Sequence, residues 1–335
     1  MKILIKANKG TYNQFQDANF TPYHVCSIWN HQLRDTFREL GHEVNFIGNE
    51  ELANEIITDY VGYDVLFFHQ LPSFMGDVEF SISLLKNFRG KKVLYIPTYI
   101  SDDYKELIEL FDYILVAGSL YNVLRWRVLY RDKVILPVSW HSPRFECIDV
   151  DLVNPYKDDS FKVVYFGIII DRYLDILKRL AADGEQVYIG GIYAKKGEDY
   201  TRFFIEEEVK EFPENLKLIT PNGGFVFGAQ FPWIRYADLG LAFTDNKVIG
   251  CLRHKIVEYL CCGTKVLAEE TIANAYRVLE LHAGFVFPYD NYDILYKLVQ
   301  YEKQNRYDKE KLKAKARGIF DMHAVCNQIL EAVAI

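Results

Sequence analysis

The sequence predicts an α/β protein made of two parallel-sheet domains in tandem. Three observations carry this. Short all-apolar runs of strand length alternate with helical spacing along nearly the whole chain. The alternation breaks once, between residues 140 and 160, and then restarts. A length of 335 residues is ample for two buried cores.

The elements follow in order. "KILIKAN" is an apolar strand, and Val25, Ile28, Trp29, Leu33, Phe37 and Leu40 of the next segment fall at helical spacing. Gly41 stops that helix, and a strand runs from Val44 to Ile47. Further strands are predicted at 63–69, 91–97, 111–118 and 132–138, with helices at 50–60, 77–88, 103–110 and 119–130. Residues 140–160 lack periodicity and carry Pro143 and Pro155, which marks a linker. Beyond it come a strand at 161–167, a helix at 171–182, and strands at 185–191, 216–220 and 238–243. A helix and strand within 251–270, a strand near 284–290, a helix at 292–304 and a mostly helical tail complete the chain. The expected domains are 1–145 and 160–307, with the tail 308–335 returning toward the first.

Composition narrows the function classes. Half the residues are hydrophobic and 25% are charged, which describes a folded globular chain. The six cysteines form no Cys-x-x-Cys pair, so reduced thiols, no structural metal and a cytoplasmic location are expected. No apolar run approaches spanning length, and no membrane partner is expected. The net charge is −7, and neither half is basic: 15 Lys and Arg face 19 Asp and Glu in the first 150 residues, 24 face 27 in the rest. That argues against strong tracking of nucleic-acid phosphates. Residues 113–144 are the exception: Arg125, Arg127, Arg131, Lys133 and Arg144 meet only Asp132, and Trp126 and Tyr130 are interleaved. This segment is either a groove surface for DNA or a solvated helix face.

One stretch points to chemistry. "CLRHKIVEYLCCGTKVLAEE" places Arg253, His254 and Lys255 at the start of an apolar helix, where the macrodipole is already positive and an anion is favoured. Backbone N–H groups backed by Arg253 and Lys255 suit a diphosphate. Glu258, on the same helix face as Lys255, suits the vicinal diol of a ribose. The plain alternative is a surface Lys-Glu pair. A second strand-glycine-helix step, with Gly167 and Arg172, aims donors at the same end of a sheet. A sharp turn, Pro221-Asn222-Gly223-Gly224-Phe225, offers room and a ring for a base, or is simply a glycine turn. The first strand-loop, "KANKGTYNQF", lacks the dinucleotide glycine fingerprint, which speaks against an NAD-linked enzyme.

With "LRDTFRELGHEVNFIG" early and "RHKIVEYLCCGTKVLAEE" late, the chain resembles the GT-B glycosyltransferases, whose two Rossmann-like domains face each other across a cleft. The resemblance implies that Arg253, Lys255 and Arg172 meet the donor's diphosphate, that Glu258 meets its ribose, that Gly167 lines the site, and that Gly223, Gly224 and Phe225 meet the base. Gly250 stands eight residues before Glu258, where many retaining members carry a second acid. Within the family the segment order most resembles the bacteriophage DNA beta-glucosyltransferases. That implies UDP-glucose as donor, no required cofactor, a divalent metal as at most a stimulant, a monomer, and a hydroxymethylated base in double-stranded DNA as acceptor. A glycan or small-molecule acceptor, and a non-catalytic nucleotide-sugar binder, are the alternatives. Tyr99 stands where that group carries its catalytic Asp, so the base candidates are Asp102 and Asp103, with His69 as the other. Arg125, Arg127 and Arg131 would then hold DNA phosphates.

Overall fold

Each apolar run of the first 140 residues pairs with a neighbour in parallel register. The computed structural model describes residues 1–6, 25–48, 56–57, 59–69, 78–96, 105–117, 120–149, 153–197, 202–219, 228–245 and 253–334. They divide into two units. One runs to Pro143 and takes back the chain from Phe320; the other is Arg144–Ile319.

The first unit holds β1 (Lys2–Lys6), α1 (Val25–Glu39), β2 (Glu43–Ile47), β3 (Ile56–Ile57), β4 (Val65–Phe68), α2 (Val78–Asn87), β5 (Lys91–Ile96), α3 (Lys105–Ile108), β6 (Tyr113–Ala117), α4 (Leu120–Leu129) and β7 (Val134–Val138). Its sheet has the order β3-β2-β1-β4-β5-β6-β7, every pair parallel. Strands such as β4 are apolar throughout and wholly buried, because helices cover a parallel sheet on both faces. The helix predicted at 50–60 is corrected: Ile56 and Ile57 pair with Phe46 and Ile47 as a short edge strand, where two β-branched residues gain more from pairing than from helix.

The second unit holds α5 (Phe145–Ile148), β8 (Lys162–Ile170), α6 (Asp171–Ala182), β9 (Gln186–Ala194), α7 (Glu206–Lys210), β10 (Leu216–Leu218), α8 (Gln230–Tyr236), β11 (Leu239–Ala242), α9 (His254–Cys261), β12 (Lys265–Glu269), α10 (Tyr276–Glu280), β13 (Gly284–Phe287), α11 (Tyr292–Gln304) and most of α12 (Lys309–Phe320). Its order, β10-β9-β8-β11-β12-β13, repeats the plan of the first, again all parallel. In such sheets ligands sit outside the carboxyl ends of the strands, near the point where the order reverses, here between β8 and β11. Asp149 fastens the start of this unit: both Nη atoms of Arg317 donate to it, at 2.7 and 2.8 Å, and Arg235 joins at 3.1 Å.

The last helix, α13 (Met322–Ala334), belongs to the first unit, where it packs on α1 and β7. Gln328 accepts from the Ser139 N–H at 3.1 Å, and His323 meets Glu39 at 2.9 Å.

Candidate functional site

The site is built on α9, and the packing beneath that helix sets where its side chains point. Tyr259 lies flat against β11 because residue 240 is glycine: a Cβ there would stand 2.4 Å from the ring. The Tyr259 hydroxyl accepts from the Phe166 N–H at 3.1 Å, which fixes the helix against β8 as well. Gly263, at φ +81°, ends the helix where a Cβ would meet the Lys309 carbonyl at 2.6 Å. At the other end a remote side chain holds the first turn. Asn274 accepts from the Arg253 N–H at 3.0 Å and donates to the Arg253 carbonyl at 3.1 Å.

Those anchors carry Lys255 and Glu258 to the carboxyl end of the sheet. Lys255 Nζ lies 3.7 Å from the centroid of the Tyr165 ring. It fills the space that a side chain at Gly167 would need, 3.1 Å from where a Cβ would sit. Burial, and then the neighbouring Arg253, pull its pKa well below the usual lysine value. Glu258 is only 9% exposed. Burial pushes its carboxyl up to about 7, against the opposing pull of Lys255. Among the described residues neither group has an ion pair or a hydrogen bond from its charged end. Two ionisable groups, one turn apart, buried and with pKa values shifted in opposite senses, mark α9 as a candidate functional site.

Arg253 turns aside to donate to Asp245 at 2.7 Å and toward the Tyr173 hydroxyl at 3.5 Å. The expected place of Gly167 needs correction. The strand does not stop there: β8 runs on to Ile170, pairing Gly167 with Gly191 and Ile170 with Ala194. Gly167 and Gly191 have φ of +124° and +136°, and a Cβ on Gly191 would meet the Gly167 carbonyl oxygen at 2.0 Å. The glycine pair keeps two twisted strands together and leaves the pocket open for Lys255.

Arg172 is not a free phosphate clamp. Its guanidinium forks onto Glu269 at 2.7 and 2.8 Å, donates to the Thr244 carbonyl, and reaches Asp290 at 3.4 Å. Glu269 is fully buried and also accepts the N–H groups of Thr244 and Asp290, at 2.7 and 3.2 Å. The acid that captures Arg172 comes from another strand end, a pairing the sequence separation hid. Beside it, the Thr271 hydroxyl and Arg172 Nε are buried without a partner. Asn274, Glu269 and Thr271 were missed from sequence because they act across the fold; the polar run after a buried strand, "EETIAN", was the available signal.

Gly223, Gly224, Phe225, Asp102 and Asp103 lie outside the described residues. His69 is wholly buried, boxed by Trp29, Tyr95 and Trp140, with its Nε2 3.4 Å from His141 Nε2. It is closed off from any solvent-borne hydroxyl, which corrects its candidacy as base. Trp126 of α4 and Tyr130 just past its end stack on each other inside the core and line no groove. Arg127 donates to the Ile135 carbonyl at 3.3 and 3.2 Å, Arg131 is exposed and Arg125 half-buried. A cavity of about 460 Å³, lined by Asp238, Lys265, Glu302 and Tyr307, opens at the amino ends of the second sheet, away from α9's first turn. Among the described residues there is no cluster of metal-ligating side chains and no helix long and apolar enough to cross a membrane.

The whole chain superposes on solved structures of one architecture. Sucrose-phosphate synthase from Thermosynechococcus elongatus matches with a TM-score of 0.67 at 12% identity, covering 99% of this chain and 98% of that one. HepE from Anabaena, solved with UDP-glucose, matches at 0.65 and 15% identity over 100% and 99% of the two chains. The DNA-modifying beta-glucosyltransferase matches at 0.56 and 13% identity over 100% of each. The chain has the GT-B fold. No protein-family model matches it, and no characterised protein matches it by sequence. At these identities the GT-B likeness speaks for architecture, and the case for chemistry rests on α9.

Proposed function

We propose that this chain is a glycosyltransferase that takes a sugar from a nucleoside diphosphate, UDP-glucose, and passes it to an acceptor hydroxyl. The observation that carries the reading is the buried pair Lys255 and Glu258 at the carboxyl end of the second sheet, which among the described residues have no opposite charge beside them but each other. A diphosphate beside Lys255 supplies an anion that favours its ammonium form. A ribose diol donating to Glu258 favours its carboxylate. HepE was solved with UDP-glucose and with UDP, and the beta-glucosyltransferase with its substrate uridine diphosphoglucose, which supports the donor class.

The step balances simply. The acceptor oxygen forms a bond to the anomeric carbon as its proton passes to a carboxylate, with Asp102 and Asp103 the proposed bases. The bond from that carbon to the diphosphate oxygen breaks, and UDP leaves with the electron pair and the charge that Lys255 holds. A hydroxymethylated base in DNA is the finer reading of the acceptor, supported by the likeness to the DNA-modifying beta-glucosyltransferase. The burial of Trp126 and Tyr130 removes the stacking surface that reading used. Calorimetry with UDP on the native chain and on Glu258→Ala, together with an assay for UDP released from UDP-glucose over DNA, glycan and small-molecule acceptors, tests the proposal. Equal UDP affinity in both proteins would remove α9 from the site. Tight binding without release on any acceptor would leave a nucleotide-sugar sensor.

A further inference from the structure

We propose that α4 and the turn after it form a docking surface for an anionic lipid bilayer. The helix is apolar on two sides. Val123 and Trp126 face the core, followed by Tyr130 just past its end. On the other side Leu120, Leu124 and Val128 are 69%, 52% and 65% exposed. Spaced by four residues, these three line up as one stripe. Leu129 and Val134 nearby are exposed as well, at 44% and 47%. Single exposed leucines are ordinary, but a continuous stripe of this kind marks a surface that something covers.

Charge decides what covers it. Arg127 and Arg131 stand at the stripe with their charge exposed, and the carbonyl that Arg127 bonds does not neutralise it. Arg125 lies half-buried alongside, while Lys133 is taken by Glu109 at 3.6 Å. Asp132 is the one acid between residues 113 and 144. A second copy of the chain on a two-fold axis would set this cationic rim against itself. A DNA duplex would reward the arginines and gain nothing from the leucines. An anionic bilayer rewards both: apolar side chains enter the boundary between headgroups and acyl chains while guanidinium groups meet lipid phosphates. The absence of a spanning run, from which no membrane partner was expected, does not bear on a surface contact of this kind. The inference does not rest on the donor chemistry of the second unit.

The test is vesicle flotation of the full chain with phosphatidylcholine alone and with phosphatidylglycerol added. Binding is expected only to the anionic vesicles and weakens with salt. Arg131→Ala should lower the partition coefficient by roughly fivefold, the weight of one cation near such a surface. Leu124→Ser with Val128→Ser should lower it by roughly tenfold or more. Both positions are more than half exposed, so the melting temperature and the UDP affinity of these variants should match the native chain. No flotation with anionic vesicles, or flotation that the serine pair leaves unchanged, overturns the proposal. So does a dimer in sedimentation that the serine pair dissolves, which gives the stripe to a second copy. Duplex binding lost in Arg131→Ala but kept in the serine pair, without flotation, gives the surface to DNA.

Discussion

Replacing Glu258 by glutamine should make the protein more stable and a poorer binder at once. The carboxyl is moved from 4.5 to about 7 because burial penalises its charged form. A carboxyl whose folded pKa is raised adds its full share of stability below the unfolded value, and that share is lost as the pH rises through the folded one. Between pH 4.5 and 7 the folded chain holds a proton that the unfolded chain gives up, so stability falls across that window. Above it the cost is complete, about 3 kcal/mol at 1.36 kcal/mol per unit. Glu258→Gln keeps the shape and removes the titration. Its urea midpoint should equal that of the native chain near pH 4.5 and exceed it at pH 8, by up to about 3 kcal/mol of stability. An amide also gives up the charge-assisted bonds to a diol, so UDP should bind more weakly by about 1.5–3 kcal/mol. The assay pairs denaturation across pH with calorimetry on UDP. An identical pH dependence in both proteins would refute the buried, uncompensated carboxyl, and an unchanged UDP affinity would refute its role at the ribose.

The remaining expectations use the same physics. Burial holds the Lys255 pKa below its usual value, and a bound diphosphate should raise it, so proton uptake on UDP binding should appear as a buffer-dependent heat that Lys255→Ala abolishes. Asn274→Ala should weaken UDP binding by about 1–2 kcal/mol through the freed first turn of α9, and an affinity equal to the native value would contradict that link. In the first unit, burial lowers the pKa of His141 from 6.5 to about 4, and burial then His141 carry His69 well below 6.5. The unfolded histidines take protons first, so stability should fall as the pH drops from about 6.5 toward 4, by about 3 kcal/mol for His141 alone. Hydrogen exchange in β4 and β7 that is flat between pH 7 and 5 would contradict this.

The strands were legible because apolar runs such as "VLFF" and "YILVA" have no other stable home than a covered parallel sheet. The same reasoning placed Lys255 and Glu258 on one helix, where the structure has them in α9. It failed at Gly167, because a glycine reads as a stop while the pairing with Gly191 that carries the strand onward is a tertiary fact. It failed at Trp126 and Tyr130 for a related reason. Residue types interleaved in sequence separate onto opposite faces once the helix forms, and the exposed face went to leucine and valine. The Arg172 partner could not be read at all, since Glu269 lies 97 residues away.

That last pairing explains how the carboxyl end of the second sheet can be both rigid and receptive. Glu269 takes two bonds from Arg172 and one each from the backbones of residues 244 and 290, so it binds the ends of β11 and β12 to the turn after β13. A carboxylate with four donors has little to gain from a ligand, and breaking the buried pair would strand a charge, at a cost of about 3–5 kcal/mol. Lys255 and Glu258 are in the opposite condition. They are seated firmly by Asn274, Tyr259 and the glycines beneath them, yet among the described residues neither has an opposite charge nearby except the other. Folding bears the cost of desolvating them, and under the proposed function a ligand carrying a diphosphate and a diol would recover it. The division between a saturated pair that fixes geometry and a less saturated pair open to a ligand is what makes α9, rather than the cavity at the far end of the sheet, the place to look for the donor.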